Sequence, residues 1–325
     1  MERAVLQPGG EPTVQWVLVF GVGLIGETLV AELSRRGFSQ ATRLLFSWQP
    51  ASRTWEDEAD AICGWVRARV NVHAHAGTTA SRMSFDIVWS AGRGGFASSW
   101  ATLDLELCAF QAVMALSSRL LEMLPLAVHR FHLTSSAGGL YEGQRNVGLG
   151  DPPAPLRPYG QLKLEQEQQL RAVAGPVVKR IYRPSSVYGF VSLKSRLGLI
   201  ATLINNGMRG HVTNIFAEAL TLRDYVLVGD IATFMAQKIE IQEAARDDTY
   251  LLASAKPTSV HEVLVLLERV LDRSLYFVFW PTPDNTASNT YSPHVLADGF
   301  RPQDLETGIR SVLLGMRHQF FKHYP

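Results

Sequence analysis

Apolar residues fall along the chain in short, nearly continuous runs separated by stretches in which they recur every three or four positions, and that alternation predicts strands and helices in turn. Residues 14–20 (VQWVLVF) form a valine-rich run that ends at glycines, the pattern of a strand buried on both faces. Residues 26–36 read as a helix closed by Gly37, 42–48 as a second strand, and 86–90 as a further short strand before the loop Gly92-Arg93-Gly94-Gly95. A long helix is expected over 100–124, with Leu103, Leu107, Phe110, Met114 and Ser117 on one side and Pro125 as its stop. A strand at 129–135, a helix rich in Gln and Glu at 158–173 ended by Gly175-Pro176, and a strand at 177–182 follow. The segment holding His73 and His75 reads as strand, the first thirteen residues as a Pro/Gly-rich lead-in, and 281–293 as loop.

Strands alternating with helices predict an α/β protein: a Rossmann-type, doubly wound parallel sheet covered by helices on both faces. Residues 1–185 are expected to form the dinucleotide-binding domain. Residues 186–325, where the periodicity loosens, are expected to build mainly a smaller carboxyl-terminal substrate domain, with some chain returning to the first sheet. Lys plus Arg total 31 against 30 Asp plus Glu, so nothing suggests the concentrated basic face a nucleic acid would need. The most apolar stretch, residues 14–26, is too short to span a bilayer and is interrupted by glycines, and the amino terminus lacks a signal-peptide pattern. A cytoplasmic protein with no membrane partner is expected. Cys63 and Cys108 have no metal-ligand spacing and read as small buried apolar residues, and the histidines have no Cys or acid to complete a shell, so no metal site is expected.

The turn after the first strand carries Gly21-Val22-Gly23-Leu24-Ile25-Gly26. In a strand–turn–helix context this GxGxxG pattern is a dinucleotide fingerprint. Gly21 permits the tight turn, Gly23 the approach of a pyrophosphate, and Gly26 the packing of helix on strand; Leu24 and Ile25 open the helix whose amino terminus faces the phosphates. No acid stands about 20 residues on, where one would grip the ribose 2′-hydroxyl of NAD; Ser47 and Arg53 instead suit a 2′-phosphate, so within NAD(P) the reading leans to NADP. Ala91 and Gly92, after the next strand, are expected beside the adenine or ribose.

Tyr159-Gly160-Gln161-Leu162-Lys163 places a phenol and an ammonium one helical turn apart on one face. The cation favours the phenolate, which would let Tyr159 act as acid or base near neutral pH, while Lys163 also holds the nicotinamide ribose. The preceding strand ends in hydroxyls at the carboxyl edge of the sheet, and Ser136, or Ser135, is the candidate to hold the substrate oxygen.

These segments resemble the extended short-chain dehydrogenase/reductase family, the NAD-dependent epimerase/dehydratase group. The resemblance rests on VFGVGLIG (19–26), LTSSAGGLYEG (133–143), YGQLK (159–163), RPSSVYG (183–189) and LRDYVLVGDIA (222–232), in order along most of the chain. It implies a Ser–Tyr–Lys catalytic set, Arg183 at the cofactor, Ser186 where the family often has a sugar-nucleotide-binding asparagine, Arg223 on a substrate phosphate, a structural Asp224, and a homodimer. The sequence departs from the family pattern by Phe20 in place of a further glycine, by the missing acid after the second strand, and by one extra residue in the serine motif. No Asp-Glu pair follows the hydroxyl, which argues against a sugar 4,6-dehydratase. The second phosphate-binding arginine of the family has no counterpart in 280–293. The expected activity is reversible hydride transfer at a sugar hydroxyl carbon, as a nucleotide-sugar 4-epimerase. An NADP-dependent keto-sugar reductase or dehydrogenase is the alternative, and a non-catalytic dinucleotide-binding sensor or scaffold the second.

Overall fold

The structure is a computed structural model that describes residues 1–5, 13–39, 54–92, 94–95, 98–148, 150–240, 246–282 and 287–323. Its centre is a six-stranded sheet in the order β1-β2-β3-β4-β5-β9, formed by Glu2–Val5, Thr13–Phe20, Met83–Trp89, Val128–Thr134, Val177–Pro184 and Asp248–Leu252 respectively. Strands β2, β3, β4, β5 and β9 are parallel, and β1 pairs antiparallel with the first half of β2. Alternate residues of each strand enter two cores. Trp16, Phe85, Ile87 and Phe131 pack under α2 (Trp55–His75) and α3 (Trp100–Met123), while Val17, Val88 and Tyr182 pack under α1 (Leu24–Arg35) and α7 (Val228–Glu240). Burial on both faces is why these strands read as nearly continuous apolar runs.

The sequence-based boundaries agree with the observed ones to within a few residues for β2–β5, α1, α3 and α5 (Pro158–Ala172). Two elements differ. The lead-in contains β1, whose pairing is reinforced by the amino-terminal ammonium donating to the Val17 carbonyl at 2.6 Å. His73 and His75 lie in the last turn of α2, not in a strand. A capping box between Thr54 and Asp57 starts that helix, and Ile62, Cys63 and Val66 give it a buried stripe. His73 then sits 2.7 Å from Glu2 and edge-on to Trp16. The strand expected at 42–48 lies outside the described residues. Cys63 is buried as expected, whereas Cys108 is exposed on α3; both are free.

Beyond β5 the chain forms a three-stranded sheet in the order β10-β8-β6, from Pro257–Ser259, Leu222–Leu227 and Ser186–Tyr188. A two-stranded sheet pairs β11 (Tyr276–Phe279) with β7 (Val212–Ile215). A separate core joins α6 (Leu199–Arg209), α8 (Val260–Leu271) and α9 (Leu305–His323) to these strands. Strand β9 and helix α7, although late in sequence, belong to the first sheet and its cover.

Candidate functional site

Register decides where the site lies. Phe20 is level with Trp89, and Trp89 with Leu133, so the residues that follow β2, β3 and β4 emerge together at one carboxyl edge. At that edge the backbone turns at Gly21 with φ of +93°, a conformation that favours glycine. A Cβ at Gly21 would run into the backbone of Ala91, and one at Gly26 into the Gly21 carbonyl. Ser90 Oγ donates to that same carbonyl at 2.7 Å, which locks the two loops together.

Gly23 is different: a Cβ there would meet nothing within 4 Å. It is the N-cap residue of α1, and no side chain caps the helix there, so the amides of Leu24, Ile25 and Gly26 keep the unpaired donors of a helix amino terminus. Open space at Gly23 beside uncapped amides fits a dinucleotide pyrophosphate.

The second half of the site is built by glycines that let helices touch. The four-residue helix α4 (Ala137–Leu140) is capped by Ser136, whose Oγ accepts from the Gly139 amide at 3.1 Å. A Cβ at Gly160 would collide with the Gly139 carbonyl, and one at Gly139 would lie 3.1 Å from the Tyr159 ring. That close approach sets Tyr159, in the first turn of α5, beside the turn carrying Ser136. One turn further, the Lys163 Nζ stands 5.7 Å from the centroid of the Tyr159 ring. Lys163 is buried, and it donates to Glu106 Oε1 at 2.9 Å and to Gln166 Oε1 at 3.0 Å. Burial works against its charge, but the Glu106 carboxylate and the neighbouring Tyr159 prevail and hold its pKa above the ordinary lysine value.

The structure thus brings the glycine cradle, Ala91, Gly92, Ser136, Tyr159 and Lys163 to one edge. Other sequence-predicted residues stand elsewhere. Ser135 donates to Glu167 at 2.7 Å. Arg183 is clamped by both oxygens of Glu167 at 2.8 and 2.5 Å and donates to the Tyr141 hydroxyl at 2.6 Å. It borders a cavity of about 370 Å³ shared with Tyr141, Asp151, Arg171 and Leu251, which contains neither Tyr159 nor the fingerprint glycines. Ser186 lies on β6 and Arg223 on β8 of the adjoining sheet. Arg223 donates to the Leu222 carbonyl at 3.1 Å and to that of Ala287, and burial lowers its pKa from the usual arginine value. Asp224 accepts from Ser185, from the Ser254 amide and from the Ser254 hydroxyl at 2.7, 2.8 and 3.0 Å, tying β8 to the loops after β5 and β9. Ser47 and Arg53 lie outside the described residues.

Three residues at or under the site were not singled out from sequence: Glu106, Gln166 and Glu167. Glu106 had a legible signal, being a carboxylate between Leu103 and Phe110 on the apolar stripe of α3. Among the described residues no group of three or more His, Cys, Asp or Glu side chains is placed to hold a metal ion, and no helix is long and apolar enough to cross a membrane.

Residues 17–253 match the model of the NAD dependent epimerase/dehydratase family. A protein of Methanocaldococcus jannaschii, whose name assigns it provisionally as a UDP-glucose 4-epimerase, is 25% identical over 198 residues, 57% of this chain and 62% of that relative. The match therefore spans less than two thirds of the relative's length. Among solved structures, MoeE5 in complex with UDP-glucose and NAD superposes with a TM-score of 0.73 at 21% identity, covering 94% of this chain and 99% of the other. The Thermus thermophilus UDP-glucose 4-epimerase complexed with NAD gives 0.72 at 18% identity, with 93% and 99% covered. A Bacillus cereus UDP-glucuronic acid 4-epimerase with its sugar nucleotide and NAD gives 0.67 at 16% identity, with 94% and 99% covered. At these identities the structural likeness establishes the fold.

Proposed function

Because the chain belongs to the NAD-dependent epimerase/dehydratase family, we propose that it catalyses hydride transfer at a sugar hydroxyl carbon of a nucleotide sugar, acting as a 4-epimerase. The observation that carries this reading is the junction of Tyr159, buried Lys163 and the Ser136 turn at the same sheet edge as the open glycine cradle. A nicotinamide dinucleotide, when bound, supplies the hydride acceptor and donor. Gly21 to Gly26 would hold its pyrophosphate, and Lys163 its ribose.

The chain's own groups account for the proton. Ser136 Oγ uses a lone pair on the Gly139 amide, which leaves its O–H to hold the substrate oxygen. Tyr159 takes the sugar hydroxyl proton, and the Lys163 ammonium favours the phenolate that accepts it. If the resulting keto-sugar turns and is reduced on its other face, the product is the epimer. The named activities of the relative and of the solved neighbours support a UDP-sugar substrate. Arg223 would meet its phosphates, with Ser186 and Ser135 as further candidates on the substrate side and Arg183 on the cofactor side. NAD is the dinucleotide of the neighbours, whereas Ser47 and Arg53 favour NADP. An NADP-dependent keto-sugar reductase is therefore the second reading. A cytoplasmic homodimer built along α3 and α5 completes the proposal, on the division into domains at residues 1–185 and 186–325.

A thermal-shift and tryptophan-fluorescence titration with NAD, NADP and their reduced forms, alone and with UDP-sugars, tests it, because a ligand specific for the folded state raises the melting temperature. Stabilisation by NAD, or cofactor retained through purification, supports the epimerase. Preference for NADP(H) supports the reductase. No response to any dinucleotide removes both.

A further inference from the structure

A carboxylate beside the ammonium that serves the reactive tyrosine is an unexpected arrangement, since it offsets the positive charge that favours the phenolate. Glu106 lies on α3 and is 1% exposed, and Lys163 on α5 is 4% exposed. A buried ammonium without a counter-charge is strongly disfavoured, so a partner for Lys163 is required on physical grounds. Glu106 does more than supply one. Its Oε1 accepts from Lys163 at 2.9 Å, and the Gln166 amide nitrogen lies 3.4 Å from the same oxygen. Its Oε2 accepts from the Gly94 amide at 3.2 Å. Gly94 belongs to the loop leaving β3 at the sheet edge, and a Cβ there would lie 3.3 Å from the Tyr159 ring. A Cβ at Gly92 would lie 3.3 Å from both Glu106 oxygens. The absence of a side chain at Gly92 and Gly94 is thereby explained: both leave room for the carboxylate, and Gly94 also leaves room for the tyrosine ring.

We propose that Glu106 is a positioning residue that sets Lys163 and the Gly94 backbone relative to Tyr159 through one shared buried carboxylate, and that its charge fixes the pH range in which the site works. The proposal rests on the reading of Tyr159 and Lys163 given above. An ammonium has three N–H donors. Glu106 and Gln166 take two of those on Lys163, which leaves one directed elsewhere, for a ribose hydroxyl. The charged and titratable groups facing Lys163 are Glu106 from α3, and Tyr159 and Glu167 from its own helix, with Glu167 itself clamped by Arg183 of β5. Removing the Glu106 charge takes a negative charge from beside the Lys163–Tyr159 pair, so the pair gives up its protons at lower pH and the working range moves downward.

The test is Glu106→Gln, read as the pH dependence of kcat/KM for UDP-glucose epimerisation and as the ultraviolet tyrosinate titration that Tyr159→Phe removes. The expected result is an acid limb and a tyrosinate step displaced downward together, with weaker binding of NAD because the Gly94 amide loses its anchor. Glu106→Asp, which keeps the charge, should leave the pH profile in place while lowering kcat, and it carries the test should the glutamine variant not fold. A lower melting temperature with an unmoved acid limb and tyrosinate step in Glu106→Gln would assign Glu106 a purely structural part and overturn the proposal. So would an Asp variant whose profile shifts as the Gln variant is expected to. The tyrosinate step needs no substrate, so absence of turnover in the unaltered protein counts against the epimerase reading and leaves the Glu106 test standing.

Discussion

Two buried ionic clusters sit on opposite faces of the same sheet and end differently. On the α1/α7 face, Asp86 accepts from Arg130 Nε and Nη2 at 2.6 and 2.7 Å, from Gln15 at 2.8 Å, and from His132 Nε2 at 2.9 Å. With Nε2–H donated to Asp86, the other nitrogen of His132 accepts the Tyr182 hydroxyl at 2.9 Å. Every oxygen of Asp86 is engaged, and the cluster lies in mid-sheet. On the α3/α5 face, the Glu106–Lys163–Gln166 cluster lies at the carboxyl edge and leaves one lysine donor over. A closed network of this sort fixes one packing of the core. An open one, beside a tyrosine and a helix amino terminus, is equipped to meet a ligand.

The sharpest way to break this contrast is to remove one member from each cluster. Lys163→Met should cut turnover by about 10²–10⁴-fold, the range for losing acid–base assistance, and steady-state kinetics on the folded fraction would show it. Asp86→Asn should instead destabilise the fold by about 3–5 kcal/mol, as breaking a buried pair does, with kcat of the folded fraction kept. Urea unfolding alongside kinetics separates the two, and a kcat loss in Asp86→Asn without loss of stability would erase the distinction. The pH dependence of stability follows from the same cluster. Although burial opposes its charge, Arg130 and His132 hold the Asp86 carboxyl well below the usual range. Its contribution is thus present above the unfolded value of about 3.9 and is lost as pH falls toward the folded one. Burial lowers the pKa of His132, despite the opposing effect of Asp86, so its protonation on unfolding begins to cost stability below about pH 6.5. Urea midpoints should decline in two stages on acidification, and Asp86→Asn should flatten the lower one.

A smaller effect is expected at the cradle. Gly26→Ala forces a methyl against the Gly21 carbonyl and should cost about 1–3 kcal/mol, with the dinucleotide-induced rise in melting temperature abolished. Smallest in stability is Ser136→Ala, which removes the cap of α4 at a cost of about 1 kcal/mol while lowering kcat, a split that thermal melts and kinetics report separately.

Much of the first sheet was legible because burial on both faces writes itself as valine-rich runs, and the glycine fingerprint because its spacing follows from backbone sterics. Helix α2 was harder to read. Its buried stripe is narrow and polar residues fill the rest, and the box between Thr54 and Asp57 became clear only in the structure. Strand β1 is four residues of mixed character whose pairing depends on a partner strand that begins eight positions further on. Tyr159 and Lys163 could be paired from local spacing alone. The partnership of Glu106 with Lys163 spans 57 positions, and only the packing of α3 on α5 brings the two together. Arg183 shows the converse. The resemblance places it at the cofactor, and the side chain it meets, Glu167, lies on a helix whose facing surface local sequence does not declare.

Tyr159 carries the proposed chemistry, and chromatographic analysis of UDP-glucose and UDP-glucuronic acid after incubation with NAD and either the unaltered protein or Tyr159→Phe probes it most directly. The account predicts that the unaltered protein interconverts one of these sugars with its 4-epimer without net accumulation of reduced cofactor. Tyr159→Phe should bind the dinucleotide as judged by its melting temperature but form no epimer. Epimer formed at an undiminished rate by Tyr159→Phe, or a chain that binds NAD and converts neither sugar, would contradict it.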